Sequence, residues 1–504
     1  MDDSSLLKKP PYLAIIILFS GTMVAFLNNS LINIALPTIM KDLDITDYST
    51  VQWLVTAYML VSGVLMPASA FLITKFSNRK LFITTMSIFG IGTLLAAFAP
   101  NFGLLLTGRI VQAIGSASVS PLLMNVLLIS FPKKKRGMVM GFFGLAMIVA
   151  PSIGPTLSGF IIENYDWHLL FIIILPIVVI SVGLSIWKLE NILPTKEVTL
   201  DYVSLILSTI GFGSMLYGFS SAGSKGWADP WVYGTIIFGL IGVISFILRQ
   251  LRIDNPMLDL RVFKFPIYSH AILLSALIAV VMNSFLILIP TYMQTVRGIS
   301  PMIAGLMMFP AALIMGVMSP VTGKLFDKFG PRNLVFVGLV ITTVATYFMS
   351  GLQVDTSSTF IVLIYSLRMF GLSMVVMPVM TNGLNQLPPN LNPHGTATNS
   401  TASQVAGSLG SAIIITIMNT TTKERAAELA AKAQSKFTQS GTVPSAEQVV
   451  QMKETLMKTA LLDGLNHSFL IILGISLIAI FVSLFLKRSV SNQNTENYKN
   501  TYIN

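Results

Sequence analysis

Two stretches, AFLITKFSNR at residues 70–79 and GKLFDKFGPR at residues 323–332, decide the fold. Each sets a basic turn at the end of a long apolar run, and the second follows the first by 253 residues. The same interval separates Pro37-Thr38-Ile39-Met40, preceded by Asn29-Ser30, from Pro290-Thr291-Tyr292-Met293, preceded by Asn283-Ser284. Arg109 followed by PLLMN (121–125) returns as Arg368 followed by PVMTN (378–382), with the second pair of motifs 257 residues apart. Landmarks recurring in order at almost one spacing mark a duplicated unit. The chain therefore reads as residues 1–198 forming one bundle, 199–264 an insertion, and 265–504 a second bundle in the same orientation as the first.

Composition says what the unit is made of. The chain has 504 residues, of which 53% are hydrophobic and only 11% charged, with a mean hydropathy of +0.75. Soluble chains carry about a quarter charged residues. Here the polar residues form short islands between apolar stretches of about twenty, long enough to cross roughly 30 Å of hydrocarbon as helices. These runs predict fourteen spans, at about 12–36, 49–73, 80–99, 102–130, 136–162, 168–188, 199–221, 231–251, 267–292, 300–323, 333–351, 358–386, 395–420 and 465–486. The first contains Asn28, Asn29 and Asn33 and is too long for a signal peptide, so it is read as a retained span. The architecture is an all-α polytopic membrane protein of two six-helix bundles, with helices 7 and 8 inserted between them.

Charge orients it. Lys and Arg crowd the loops around Lys75–Lys80, Lys133–Arg136, Lys188–Lys196, Arg249–Lys264 and Lys324–Arg332, while the short opposite loops hold only Lys41, Lys225 and Arg297. The positive-inside rule then places both termini in the cytoplasm. The net charge of +11 thus belongs to the phospholipid surface, not to nucleic acid. Residues 421–462, rich in Ala, Lys, Glu and Gln around Pro444, read as two short polar helices outside the cell. The absence of cysteine excludes disulfides and thiolate sites, and the four histidines, at 168, 270, 394 and 467, lack metal-ligand spacing. No metal or other cofactor is implied.

Parallel six-helix halves are the architecture of alternating-access transporters, with the substrate site near the midplane between them. The motifs also carry a resemblance. LNNSLINIALPTI (27–39), QWLVTAYML (52–60), GRIVQAIGSAS (108–118), GLAMIVAPSIGPTLSGF (144–160) and GTATNSTASQVAGSLGSAI (395–413) are similar, in order and spacing, to the fourteen-helix drug:proton antiporter branch of the major facilitator superfamily. Within that branch the chain looks most like the lincomycin-resistance type of Gram-positive bacteria. The resemblance implies the major facilitator fold and export driven by an ion gradient. It also associates the helix-5 motif with exporters.

Several residues stand out. Pro151, Gly154, Pro155 and Gly159 in helix 5 read either as ordinary helix packing or as a bend that seals a cavity. Asp327, Lys328 and Arg332 form a candidate salt-bridge latch, whose first-half copy has Thr74 in place of the acid. Arg109 and Arg368 are the basic residues inside spans, and a guanidinium there is expected to face a cavity or a partner. At 1.5 Å per residue, Arg109 and Asn28 lie about 10 and 13 Å below the same surface, so the two can face each other. In the family pattern the Asn28 position is usually an Asp that titrates; here it is an amide. Asn29, Asn33, Gln112, Asn125, Asn283, Asn382, Asn399 and Gln404 add uncharged hydrogen-bonding groups, as cavity lining or as helix-to-helix bonds.

No nucleophile–base constellation, metal cluster or phosphate-cradling loop marks an enzyme. The sequence therefore predicts a proton-driven, monomeric, lipid-embedded exporter of small drug-like molecules. Two buried arginines without a deep acid favour neutral, weakly basic or amphiphilic cargo, of the lincosamide or phenicol kind, over dications. An exporter of a native metabolite or lipid-like solute is the alternative; an enzyme or channel fits less well. Proton coupling falls to an end-placed acid, Glu163, Asp166, Asp201 or Asp327, or to a proton on the substrate.

Overall fold

A computed structural model describes residues 11–45, 48–440 and 446–487. The tails that carry Lys8, Lys9 and Lys499 lie outside the described residues. Among the described residues, fourteen helices are long and apolar enough to cross a membrane. Helices 1 to 6 are Tyr12–Asp42, Thr50–Lys75, Asn78–Ala97, Phe102–Ser130, Lys133–Asn164 and Leu169–Lys188. Helices 7 and 8 are Tyr202–Ala222 and Pro230–Arg252. Helices 9 to 14 are Pro266–Val296, Met302–Phe329, Pro331–Met349, Ser358–Gln386, Pro389–Ala433 and Gln451–Leu484.

The duplication is visible in how helices break. Helix 4 divides into Phe102–Ser116 and Val119–Ser130, and helix 12 into Ser358–Ser373 and Val376–Gln386. Pro121 and Pro378 sit two residues into the second segments, where the missing N–H leaves a carbonyl of the preceding turn without its helical partner. These breaks fix the register between the halves. They align Arg109 with Ser366, two residues before Arg368. The arginines expected to be repeat partners are therefore not equivalent, because a two-residue shift turns a side chain by about 200° around a helix.

One apolar core fills the first bundle around Leu31, Phe82, Phe89 and Trp167, and another fills the second around Phe285, Tyr292, Tyr365 and Phe469. The inserted pair does not float free. Phe212, Met215 and Phe219 of helix 7, with Phe246 of helix 8, pack on Ala68 and Phe71 of helix 2 and on Ala397 and Ala412 of helix 13. The insertion thus covers a seam between the two bundles. At the basic end, Asp201 pairs with Arg249 through bonds of 2.7 and 3.0 Å, closing the foot of the pair. Its connection from helix 6 is tied to the first bundle by Asn78, whose side chain donates to Glu190 O and accepts from Ile192 N.

The region between helices 13 and 14 departs from expectation. The two short helices predicted for residues 421–462 are continuations of the spans: one helix runs Asn392–Ser440 and the next Ala446–Leu484. Strong helix formers and charge pairs at helical spacing explain the continuity. Glu428 accepts from Arg425 and Lys432 at 2.7 and 2.6 Å, and Arg425 reaches Asp463 on the neighbouring helix at 3.4 Å. Pro444, the break signal, lies outside the described residues.

Candidate functional site

The first bundle carries a closed polar network. Gln112 is its hub. Its Oε1 accepts from Arg109 Nη1 at 2.9 Å and from Asn28 Nδ2 at 3.2 Å. Its Nε2 donates to Thr93 Oγ1 at 2.9 Å and to Asn28 Oδ1 at 3.4 Å. Arg109 also donates through Nε to Leu54 O at 3.0 Å and through Nη2 to Asn29 Oδ1 at 3.5 Å. Its guanidinium lies 4.3 Å from the Tyr58 ring centroid, and Tyr58 in turn bonds Ser116. The expected pairing of Asn28 with Arg109 is thus indirect, relayed by Gln112, while Asn29 makes the direct contact. Every nitrogen of Arg109 is matched by a neutral oxygen, and the residue is fully buried. Amide and carbonyl dipoles hold the charge here in place of a carboxylate.

Asn29 is half-buried and Asn33 exposed, so helix 1 turns from the network toward open space along the face that carries them. Asn33 Nδ2 reaches only the Asn29 carbonyl, at 3.5 Å. In the second bundle Asn283 is likewise exposed and donates to Ala279 O, with Gly407 of helix 13 packed against its amide. Asn399 is buried within helix 13, beside the half-buried Gln404. Arg368 is elsewhere. It bonds Val281 O at 3.2 Å and stacks 3.4 Å from the Phe285 ring centroid, on the opposite face of helix 9 from Asn283. The structure does not bring Arg368 together with the asparagines.

The helix-5 motif proves to be a fastening. Pro155 has no N–H, so the carbonyl of Pro151 lacks its helical partner. Ser30 Oγ of helix 1 donates to that oxygen at 2.6 Å. Gly154 allows the approach: a Cβ there would sit 2.4 Å from Ser30 Oγ. Ser158 Oγ adds a bond to Leu31 O at 2.7 Å. These residues tie helix 5 to helix 1 inside the first bundle, and helix 5 runs unbroken from Arg136 to Asn164. Gly159 lies near helix 10, where a Cβ would meet Met302 at 3.8 Å, an ordinary contact.

Glycines of helices 5 and 10 make a close contact between bundles; Gly144 and Gly323 stand in motifs quoted above, while Gly137 and Gly141 were passed over. Gly137 and Gly141 of helix 5 meet Gly323 and Ser319 of helix 10 backbone to backbone, with an ideal Cβ on Gly141 only 2.4 Å from Ser319 O. The spacing G-x-x-x-G at 137–141 was the available signal. Asp327 completes this end. Its Oδ1 accepts from Gly137 N at 2.9 Å and its Oδ2 from Met138 N at 3.0 Å, so the carboxylate of one bundle caps the first turn of a helix in the other. Lys328 and Arg332 are exposed, with the Lys328 ammonium 5.0 Å from the Phe329 ring. In the latch expected as a salt bridge, the described bonds of Asp327 run to helix 5's backbone. Arg136 Nη1 to Asn385 Oδ1 at 3.0 Å and Asn125 Nδ2 to Thr396 Oγ1 at 2.8 Å cross between bundles at the same basic end.

Duplicated six-helix bundles, joined by hydrogen bonds at one end and bearing exposed asparagines on their first helices, define a membrane transporter. Residues 18–411 match the family model described as Major Facilitator Superfamily, and the chain belongs to that family. It is 46% identical over 424 residues to the uncharacterized MFS-type transporter YhcA of Bacillus subtilis, covering 84% of this chain and 80% of that one. It is 38% identical over 466 residues to the lincomycin resistance protein LmrB of Listeria monocytogenes, covering 92% and 94%. Among solved structures, the human organic anion transporter MFSD10 superposes with a TM-score of 0.64 at 13% identity, covering 94% of this chain and 100% of that one. That last likeness is of fold alone.

Proposed function

We propose that the protein is a multidrug exporter of the cell membrane. It moves amphipathic, neutral or weakly basic compounds of the lincosamide or phenicol kind outward, in exchange for protons. With the basic end read as cytoplasmic, both termini are inside, and the bundles are latched in the state closed to the cytoplasm. The observation that carries the cargo assignment is the neutral chemistry of the inward-facing polar groups. Arg109 is held by uncharged oxygens, and the half-buried Asn29 and exposed Asn33 and Asn283 offer amides where a dication would need carboxylates. The likeness to a lincomycin resistance protein supports the same class.

Among the candidate acids, Asp327 suits proton coupling best. Two backbone donors to its carboxylate, Gly137 N and Met138 N, belong to the opposite bundle, so its surroundings change when the basic end opens. Asp201 is held at a pKa of about 2, chiefly by hydrogen bonds from Arg249, and stays ionised throughout. A susceptibility panel in an efflux-deficient host, with and without an uncoupler, tests both parts. Resistance to lincosamides or phenicols that collapses with the proton gradient is expected. Resistance confined to dications would refute the cargo assignment, and resistance that survives the uncoupler would refute coupling to protons.

A further inference from the structure

At the end opposite the basic turns, residues 165–168 join helix 5 to helix 6. Trp167 of this junction is fully buried in the core of the first bundle, and its Nε1 donates to Asp42 Oδ2, at the end of helix 1, at 2.9 Å. Its ring stacks on that of His168, with 3.6 Å between centroids and 25° between planes. His168 in turn sits between two oxygens. Its Nδ1 meets Asp166 Oδ1, and its Nε2 meets the carbonyl of Ala99, just beyond helix 3, at 3.1 Å.

Both oxygens can only accept. A neutral imidazole has one N–H and one lone pair, so it serves one of them and turns its lone pair toward the other. The imidazolium donates from both nitrogens and serves both, with its charge lying on the π-face of Trp167. Asp166 supplies the counter-charge. Partial burial raises the pKa of its carboxyl, but the bonds from the His168 backbone N–H and ring outweigh this and lower it, so the acid stays ionised where an imidazole ordinarily titrates. The other charged groups on the surrounding elements are Lys41, Asp42 and Asp44 at the end of helix 1 and Glu163 at the end of helix 5; the end of helix 3 brings none. Among the described residues, Asp166 is the ion-pair partner of His168. The two side chains are 26% and 65% exposed for His168 and Asp166, so protons reach the pair from water.

We propose that His168 is a proton-binding site on the outer face of the protein. The imidazolium, held between Asp166 and Ala99, fastens the junction of helices 5 and 6 to helix 3 and, through the stacked Trp167, to helix 1. Loss of the proton gives up one of the two ring bonds. An acidic exterior thus stiffens the outer end of the helix that carries Asn29 and Asn33. The corresponding junction of the second bundle, between helices 13 and 14, is the stalk, so the proton acts on the first bundle alone. That the site faces outward rests on the orientation proposed above, with the basic end cytoplasmic; its dependence on protons does not.

The test is the melting temperature of the purified, detergent-solubilised protein at pH 5.5 and at pH 8. The imidazolium makes both bonds only in the folded chain, so its contribution is present at low pH and is lost as pH rises through the imidazole range. The melting temperature at pH 5.5 minus that at pH 8 is therefore expected to be larger in the wild type than in His168→Gln, by roughly 2 °C. Asp166→Asn keeps the ring but removes its counter-charge, and should also reduce this difference; it decides the matter if His168→Gln does not fold. The same difference in the wild type and His168→Gln would overturn the proposal, and so would an undiminished one in Asp166→Asn. The measurement needs neither cargo nor gradient, so its failure is distinct from a failure of the exporter reading.

Discussion

Replacing Asp327 by Asn separates charge from shape at the basic end. The carboxylate accepts two backbone N–H bonds, at 2.9 and 3.0 Å, from the first turn of helix 5 in the other bundle. An amide keeps one acceptor oxygen, loses the second, and loses the negative charge that suits a helix N-terminus. A hydrogen bond to a charged group contributes about 1.5–3 kcal/mol. Because Asp327 is only half-buried, the lower figure applies, and about 1.5 kcal/mol shifts a two-state equilibrium by roughly tenfold. Both bonds exist only while the basic end is closed, so the whole loss falls on that state. The chain contains no cysteine, which makes a single reporter clean. Thr381→Cys, fully buried in the inner segment of helix 12, should react with a maleimide in inside-out vesicles roughly ten times faster when Asp327→Asn is added. An unchanged labelling rate would refute the reasoning, because it would mean that the cap does not hold the bundles together.

Three further outcomes follow from the same geometry. Arg109→Ala should abolish drug export while the protein still inserts, because Gln112, Asn29 and the Leu54 carbonyl each lose a charged donor, at about 1–3 kcal/mol apiece; Arg109→Lys should also fail, since an ammonium cannot reproduce the planar fork. Export at the wild-type level from either variant would show that the arginine is dispensable. Gly141→Leu should lower export and melting temperature together, since the new Cβ meets Ser319 O at 2.4 Å, while Gly183→Leu, with nothing within 4 Å, should be silent; equal effects of the two would remove the seam from the mechanism. Asp201→Asn should lower thermal stability at pH 7. Since Arg249 depresses the Asp201 pKa to about 2, the wild type has this stability above the ordinary carboxylate value of about 4 and loses it as pH falls toward 2. The gap between variant and wild type should therefore close over that interval, and a gap independent of pH would exclude the ion pair as its source.

Span number and duplication were legible because each rests on a signal that water and lipid impose on sequence directly. Apolar length sets the spans, and the order of Pro37, Arg79 and Asn125 against Pro290, Arg332 and Asn382 sets the repeat. Two features were not legible for definite reasons. The register between Arg109 and Arg368 shows in the sequence as an interval of twelve residues from Arg109 to Pro121 against ten from Arg368 to Pro378, but its meaning depends on Pro121 and Pro378 breaking their helices at equivalent points. The helix-5 prolines suggested a hinge because proline frees a carbonyl; the sequence does not show that Ser30, 121 residues away, satisfies it. The stalk beyond helices 13 and 14 was misjudged because its polar composition ends a membrane span without ending a helix.

The duplicated bundles have divided their polar groups unequally, and this bears on mechanism. The first bundle retains a saturated network around Arg109 but has Thr74 where the second has Asp327, so the described cap runs in one direction only, from helix 10 to helix 5. The corresponding first-bundle turn has been turned to another use: Thr74 O accepts from Lys196 N, and Asn78 grips the connection toward helix 7. One copy of the loop thus contributes to the contact between bundles, while the other anchors the inserted pair that covers their seam. The Asp327 cap stands beside the Arg136–Asn385 and Asn125–Thr396 bonds at this end, and a change at Asp327 is expected to weaken the closed arrangement without abolishing it. On the function proposed above, a proton taken up at Asp327 would act on the contact between the bundles and not on the cargo directly.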